Sequence, residues 1–156
     1  MRIGVDARYM AATPAGIGRY SRALLEAMFR QAPDVQWVVL VHASLPPGWP
    51  AEAPPWLEIH RLDARPVSLF TLGGMRRWIR ERQVDLWHAH FPLAARCSVP
   101  LVTTVHDLQP LLCPRWNAGR PWPLPWAYGQ FYRWAYGRTV AQSRRVIAIS
   151  QWTAQT

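Results

Sequence analysis

The run Val99-Pro100-Leu101-Val102-Thr103-Thr104-Val105-His106-Asp107-Leu108 constrains this chain more than any other stretch. It is apolar, β-branched and bounded by a proline, the pattern of a strand buried in a parallel sheet. His106 and Asp107 then fall just past its carboxyl end. In an open α/β sheet that edge is where ligands bind, so an imidazole placed there has chemical meaning. A second signal points to the same edge. The opening strand Arg2-Ile3-Gly4-Val5-Asp6 leads through a loop into Gly16-Ile17-Gly18-Arg19-Tyr20 and a helix. The order predicts that a helix N-terminus and a histidine face one crevice.

The rest of the chain alternates in the same way. Arg2 to Val5 suits a short buried strand. From Gly16 to Gln31, Ile17, Tyr20, Leu24, Leu25 and Met28 recur at helical spacing, and Pro33-Asp34 stops the helix. Trp37 to Val41 and Leu57 to Leu62 read as strands, separated by a surface loop, Ser44 to Trp56, that holds five prolines. Leu72 to Gln83 reads as a helix with Leu72, Met75, Trp78 and Ile79 on its apolar face and arginines outside. Val84 to Ala89 follows as a strand, then the central one. Gln109 to Pro125 carries five more prolines and reads as irregular, and a loop at the carboxyl edge of a sheet is more often a binding element than a spacer. Trp126 to Arg145 reads as a long amphipathic helix, Arg145 to Ser150 as a sixth strand, and Gln151 onward as the first turn of a helix capped by Ser150. Strand and helix in repeated alternation imply the α/β class, a doubly wound parallel sheet of Rossmann-like type.

At 156 residues the chain fits one domain with one core. Its formal charge of +9 comes entirely from arginine, since there is no lysine. Ala, Pro, Trp and Arg are all abundant, a coding bias that makes charge weak support for a nucleic-acid partner. Phosphates, sugar diphosphates and an anionic membrane surface fit it equally well. Cys97 and Cys113 lie far apart without metal-ligand spacing and read as thiols in a reducing compartment. Asp6 and Arg8 stand where a signal peptide needs its apolar region, and no run approaches the ~18 apolar residues of a membrane span. A cytoplasmic location is expected.

Several residues are candidates for chemistry. Gly16 and Gly18 let a backbone approach a phosphate, with the unpaired amides and positive dipole end of a helix behind them; the plain alternative is a turn. The dinucleotide fingerprint is a poor match. Ser21 stands where the third glycine belongs, and roughly ten residues separate strand and glycines, so a nicotinamide cofactor is disfavoured. Arg19 sits in the first helical turn, where a cation opposes the dipole; this points either to a nearby anion or to surface solubility. His88-Ala89-His90 ends a strand, and alternation puts both imidazoles on one face, as a polar strand end or a substrate contact. A zinc site would need a further ligand, and no Cys, Asp or third His sits at suitable spacing. His106 can bond a phosphate or a sugar hydroxyl, and Asp107 beside it favours its charged form; a satisfied structural histidine is the alternative.

These residues, in this order, resemble the N-terminal domain of the retaining glycosyltransferases of the GT-B fold, in particular the family-4 type. The opening Met-Arg-Ile-Gly-Val-Asp-Ala-Arg with Gly16-Ile17-Gly18-Arg19-Tyr20 is similar to that family's first strand and glycine loop. Asp85-Leu86-Trp87-His88-Ala89-His90 is similar to its D-x-x-H-x-H strand, Pro100 to Leu108 to its P-x-V-x-T-x-H-D-L strand, and Val146-Ile147-Ala148-Ile149-Ser150 to its V-I-x-x-S strand. The resemblance implies transfer of a sugar from a nucleotide-diphosphate sugar to a glycan or lipid-linked acceptor, with retention at the anomeric carbon. It implies that the glycine loop, Gly16 and Gly18, closes over the donor diphosphate and that His106 lies near the transferred sugar; Arg19 is a further candidate for the diphosphate, Asp107 for the reacting centre, and His88, His90 and Arg115 for the acceptor. It calls for no cofactor, and for stabilisation of the leaving diphosphate rather than a divalent metal.

The family's second Rossmann-like domain, with its paired glutamates and basic diphosphate clamp, has no counterpart in residues 1–156. The expectation is therefore a single incomplete acceptor-side domain, inactive without its donor-binding partner. The alternative is a non-catalytic remnant that binds a membrane or another protein. Trp126, Tyr128, Phe131, Tyr132, Trp134 and Tyr136, with Arg133, Arg138, Arg144 and Arg145, motivate a peripheral contact with the inner face of the membrane, unless the aromatic residues are simply core.

Overall fold

The computed structural model describes residues 1–11, 15–50, 53–92, 97–113, 119, 121 and 123–155. Their strands are β1 (Arg2–Asp6), β2 (Gln36–His42), β3 (Leu57–Leu62), β4 (Leu86–Ala89), β5 (Leu101–Val105) and β6 (Ser143–Ala148). All pair in parallel in one sheet of order β3-β2-β1-β4-β5-β6. The chain is an α/β domain with a doubly wound, Rossmann-like sheet. The winding reverses between β1 and β4, and the carboxyl ends of those strands therefore frame a crevice.

The helices are α1 (Gly16–Gln31), α2 (Met75–Glu81), α3 (Gln109–Leu112), α4 (Leu124–Gln142) and α5 (Gln151–Gln155), with a wide helical turn over Phe70–Gly74 leading into α2. Strand alternation sorts the core into two layers. Val5, Trp37, Val39 and Val41 pack with Leu25 of α1 on one face. On the other face Val38, Leu40, Trp87, Ala89 and Leu101 pack with Met75, Trp78 and Ile79 of α2. Beside them Val105 packs with Tyr132, Ala135 and Tyr136 of α4. Gly4 is set by this packing: a Cβ there would lie 2.4 Å from Cε3 of the fully buried Trp87.

Three expectations change. The helix expected over Trp126 to Arg145 stops at Gln142, because the Ser143 hydroxyl donates to the Thr139 carbonyl (2.8 Å), lies within hydrogen-bond distance of the Thr103 hydroxyl (3.0 Å) and draws the chain into the sheet. Arg145 consequently pairs with Val102 in β6, past a register shift. That helix is also not amphipathic, since it exposes Leu124, Trp126, Trp134 and Val140 while burying Tyr132 and Tyr136. Finally, the start of the irregular stretch forms α3, whose first turn is held by the Asp107 carboxylate accepting from the Gln109 amide at 3.0 Å.

Candidate functional site

Parallel pairing carries three histidines to one face at the carboxyl edge. β4 aligns with β5 so that His88 stands opposite Val102 and Ala89 opposite Thr103. With a two-residue period, His88, His90, Thr104 and His106 then share the face that α1 covers. The rings of His88 and His90 lie 4.5 Å apart. Tyr20, one turn into α1, completes the group: its ring stands edge-on to His106 at 4.7 Å and to His90 at 6.0 Å, and its hydroxyl is 3.5 Å from Thr104 Oγ1. The expected convergence of a helix start with an imidazole is thus made by Tyr20.

Hydrogen bonding sets the state of His106. Its Nε2 lies 3.0 Å from the carbonyl oxygen of His90. A carbonyl only accepts, so Nε2 carries the proton and Nδ1 the lone pair in the neutral ring. Nδ1 has no hydrogen-bond partner among the described residues. Burial lowers the His106 pKa, outweighing the opposing pull of the His90 carbonyl and of Asp107. The adjacent carboxylate therefore does not win, as local sequence suggested it would. Part of its capacity is spent on the Gln109 amide, and the residue is exposed to water. In the neutral ring, Nδ1 of His106 accepts a hydrogen bond from a hydroxyl and has no proton to donate to a phosphate.

His88 and His90 sit deeper. His88 Nε2 lies 3.0 Å from Thr104 Oγ1, and burial lowers its pKa to about 4. His90 is fully enclosed, and both ring nitrogens are buried without a partner among the described residues. Burial, then the charges of His88 and His106, push its pKa well below the usual value. The atom that His90 offers the edge is its carbonyl oxygen.

At the glycine loop, Ala15 is the N-cap in extended conformation, no side chain caps the helix, and no acidic residue lies in its first turn. The first backbone bond closing the helix is Arg19 N–H to Ala15 C=O at 3.1 Å, leaving the amides of Gly16, Ile17 and Gly18 outside the helical ladder. A Cβ at Gly16 would meet nothing within 4 Å, so packing does not demand that glycine. Arg19 is exposed and, with Gly18, Arg22 and Glu26 of α1, lines a hollow of about 300 Å³ against Met10 and Ala11 after β1 and Leu45 and Pro46 after β2. Arg115 lies outside the described residues.

Two further residues were not singled out. Arg8, 1% exposed, places all five of its guanidinium donors. Nε and Nη2 bond the two oxygens of Asp6 (2.8 and 2.7 Å), Nη2 also bonds Thr71 Oγ1 (2.8 Å), and Nη1 faces the carbonyls of Arg65 (3.1 Å) and Ala64 (3.5 Å). This ties the loop after β3 to the end of β1. Thr104 was read only as a strand residue. The paired alternation of H-x-H with T-x-H was the signal that would have placed it.

The profile of Glycosyltransferase Family 4 matches residues 14–156. The chain belongs to that family. No curated protein matches it. Gly16 to Tyr20 and the motifs at 85–90, 100–108 and 146–150 lie within the matched residues of this family-4 glycosyltransferase-type domain; the opening strand precedes them. Its histidine-bearing strand ends and its glycine-led helix meet at one edge of the sheet. Among the described residues of this family-4 domain, no three His, Cys, Asp or Glu side chains are grouped to hold a metal ion. A hollow of about 500 Å³ between α3, α4, β6 and α5 has none of the three imidazoles among its lining residues.

Proposed function

We propose that this domain forms the acceptor side of an enzyme that moves a sugar from a nucleotide-diphosphate donor to a glycan or lipid-linked acceptor with retention. The observation that carries the reading is the contact of Tyr20 with His106. It sets an uncapped helix start and an open imidazole nitrogen at the same sheet edge. As the glycosidic bond to the diphosphate breaks, negative charge grows on the leaving oxygens. The first-turn amides at Gly16 and Gly18, the dipole end behind them and Arg19 meet that charge. His106 receives a sugar hydroxyl on Nδ1 and fixes the reacting groups relative to one another, with Asp107 beside it. His88 and His90 support this from beneath, His90 through its carbonyl, and Arg115 serves the acceptor from the proline-rich loop. The remaining diphosphate contacts come from a donor-binding domain. The enzyme works in the cytoplasm, in peripheral contact with the membrane.

The test is His106→Ala in the enzyme that carries this domain together with its donor-binding half. Turnover is expected to fall about 10²-fold through lost positioning, with an unchanged melting midpoint. Normal turnover in a folded variant removes His106 from the mechanism. The rival reading, a module that binds without transferring sugar, predicts no difference between the two proteins in any transfer assay.

A further inference from the structure

Helix α4 carries large apolar side chains on its exposed side as well as on the side it encloses. Tyr132, Ala135, Tyr136 and Thr139 face the sheet and are buried. Trp126 is 59% exposed and Trp134 49% exposed, and the helix contains no aspartate or glutamate. A helix of this kind is ordinarily covered on every side. The uncovered side continues into a neighbouring segment: Ala127, Tyr128 and Phe131 share a hollow of about 260 Å³ with Val67, and Leu69, two residues on, is 86% exposed. Towards the other end, the Phe131 ring lies 6.0 Å from Trp134, and the Arg138 guanidinium sits 5.4 Å from the Trp134 ring centre. Arg138 and Arg76 of α2 line one further hollow with no carboxylate among its lining residues.

We infer that this surface, the outer side of α4 with the segment from Val67 to Leu72, docks on an anionic lipid bilayer. Charge decides the occupant. Arg138 and Arg76 share one hollow of the surface, Arg133 is exposed on the same helix, and α4 offers no acid to neutralise them. Lipid phosphates supply that charge, indoles sit at the depth of the headgroups, and the aliphatic tips of Leu69 and Leu72 enter the acyl boundary. No helix among the described residues is long and apolar enough to cross a membrane, so the attachment lies in the plane of the surface. The inference deepens the lipid-linked acceptor reading and rests on it for its purpose. Its test reads neither donor nor turnover, so the two fail separately.

The purified 156-residue chain is floated with equimolar phosphatidylglycerol/phosphatidylcholine vesicles and with phosphatidylcholine alone. Binding to the anionic vesicles is expected at low ionic strength, about 0.01 M, and is expected to be lost at about 1 M, where the screening length falls to about 3 Å. Arg133→Gln and Arg138→Gln should each lower partitioning about five-fold. Trp134→Ala should lower it about ten-fold through lost apolar contact. Arg30→Gln, in the last turn of α1 on the opposite face of the sheet, should change it less than about two-fold, since that side chain stays beyond reach of the bilayer. Should Trp134→Ala fold poorly by circular dichroism, the exposed Arg133 carries the test. Failure to float with anionic vesicles at low salt, equal binding to the neutral ones, or an equal loss in Arg30→Gln overturns the inference; the first would leave a protein as the occupant.

Discussion

Acid should unfold this domain through its buried imidazoles before its carboxylates are touched. Burial takes His88 from its ordinary 6.5 to about 4. The unfolded chain therefore takes up a proton between those values while the folded one does not. Stability is complete above about pH 6.5, falls as pH drops towards 4, and stops falling below that. The whole difference, about 2.5 pH units at about 1.4 kcal/mol each, comes to about 3 kcal/mol. About 2 kcal/mol of it is lost between pH 7.5 and pH 5, which lowers a melting midpoint by about 4–8 °C for a domain of this size. His90, pushed in the same direction, adds to the loss. Glu26 and Glu58, held below 4.5 chiefly by hydrogen bonds from Arg22 and Arg2, lose their contribution only at lower pH. The assay is urea unfolding at the two pH values for the native chain and for His88→Gln. The variant should lose about 2 kcal/mol less on acidification. Equal pH dependence in the two proteins, or a native chain as stable at pH 5 as at 7.5, refutes the account of the buried cluster.

Gly4→Ala should cost about 1–3 kcal/mol or more by urea unfolding, since its Cβ meets Trp87 at 2.4 and 2.6 Å and Trp87 is fully enclosed. Gly73→Ala, with nothing within 4 Å, should be neutral or stabilising by up to about 1 kcal/mol, so equal losses in the two variants would count against the packing argument. Arg8→Leu leaves the half-buried Asp6 carboxylate without its partner and should cost about 3 kcal/mol; Asp6→Leu added to it should recover part of that, and a single variant as stable as the parent would show the pair to be idle. Burial pushes the Cys97 thiol up to about 12, so at neutral pH a thiol reagent should modify exposed Cys113 well before Cys97, and simultaneous reaction would contradict the burial.

Much of the fold is legible along the chain because the central strands are hydrophobic on both faces. Val38 to Val41 are all fully buried, so no other element could have produced that unbroken run. Boundaries were less legible where a side chain acts across the sheet. Nothing local to Ser143 tells that its hydroxyl will reach Thr103 and end α4 three residues before the arginines do. At the site, the H-x-H and H-D motifs were visible by spacing, and alternation alone put His88 and His90 on one face, whereas His106 joined them only through the β4–β5 register.

The amino-acid sequence by itself determined the α/β class, the parallel strands, the strand-end position of His106 and the glycine-led start of α1, because hydrophobic periodicity and backbone freedom are properties of neighbours in the chain. The tertiary structure alone decided how those residues behave. It lowered the His106 pKa although Asp107 adjoins it, enclosed His90, and made Arg8 a structural clamp. Desolvation and the choice of hydrogen-bond partner depend on groups 16 to 84 positions away, such as the His90 carbonyl and the Tyr20–Thr104 contact. Those groups become neighbours only once β1, β4 and β5 have paired.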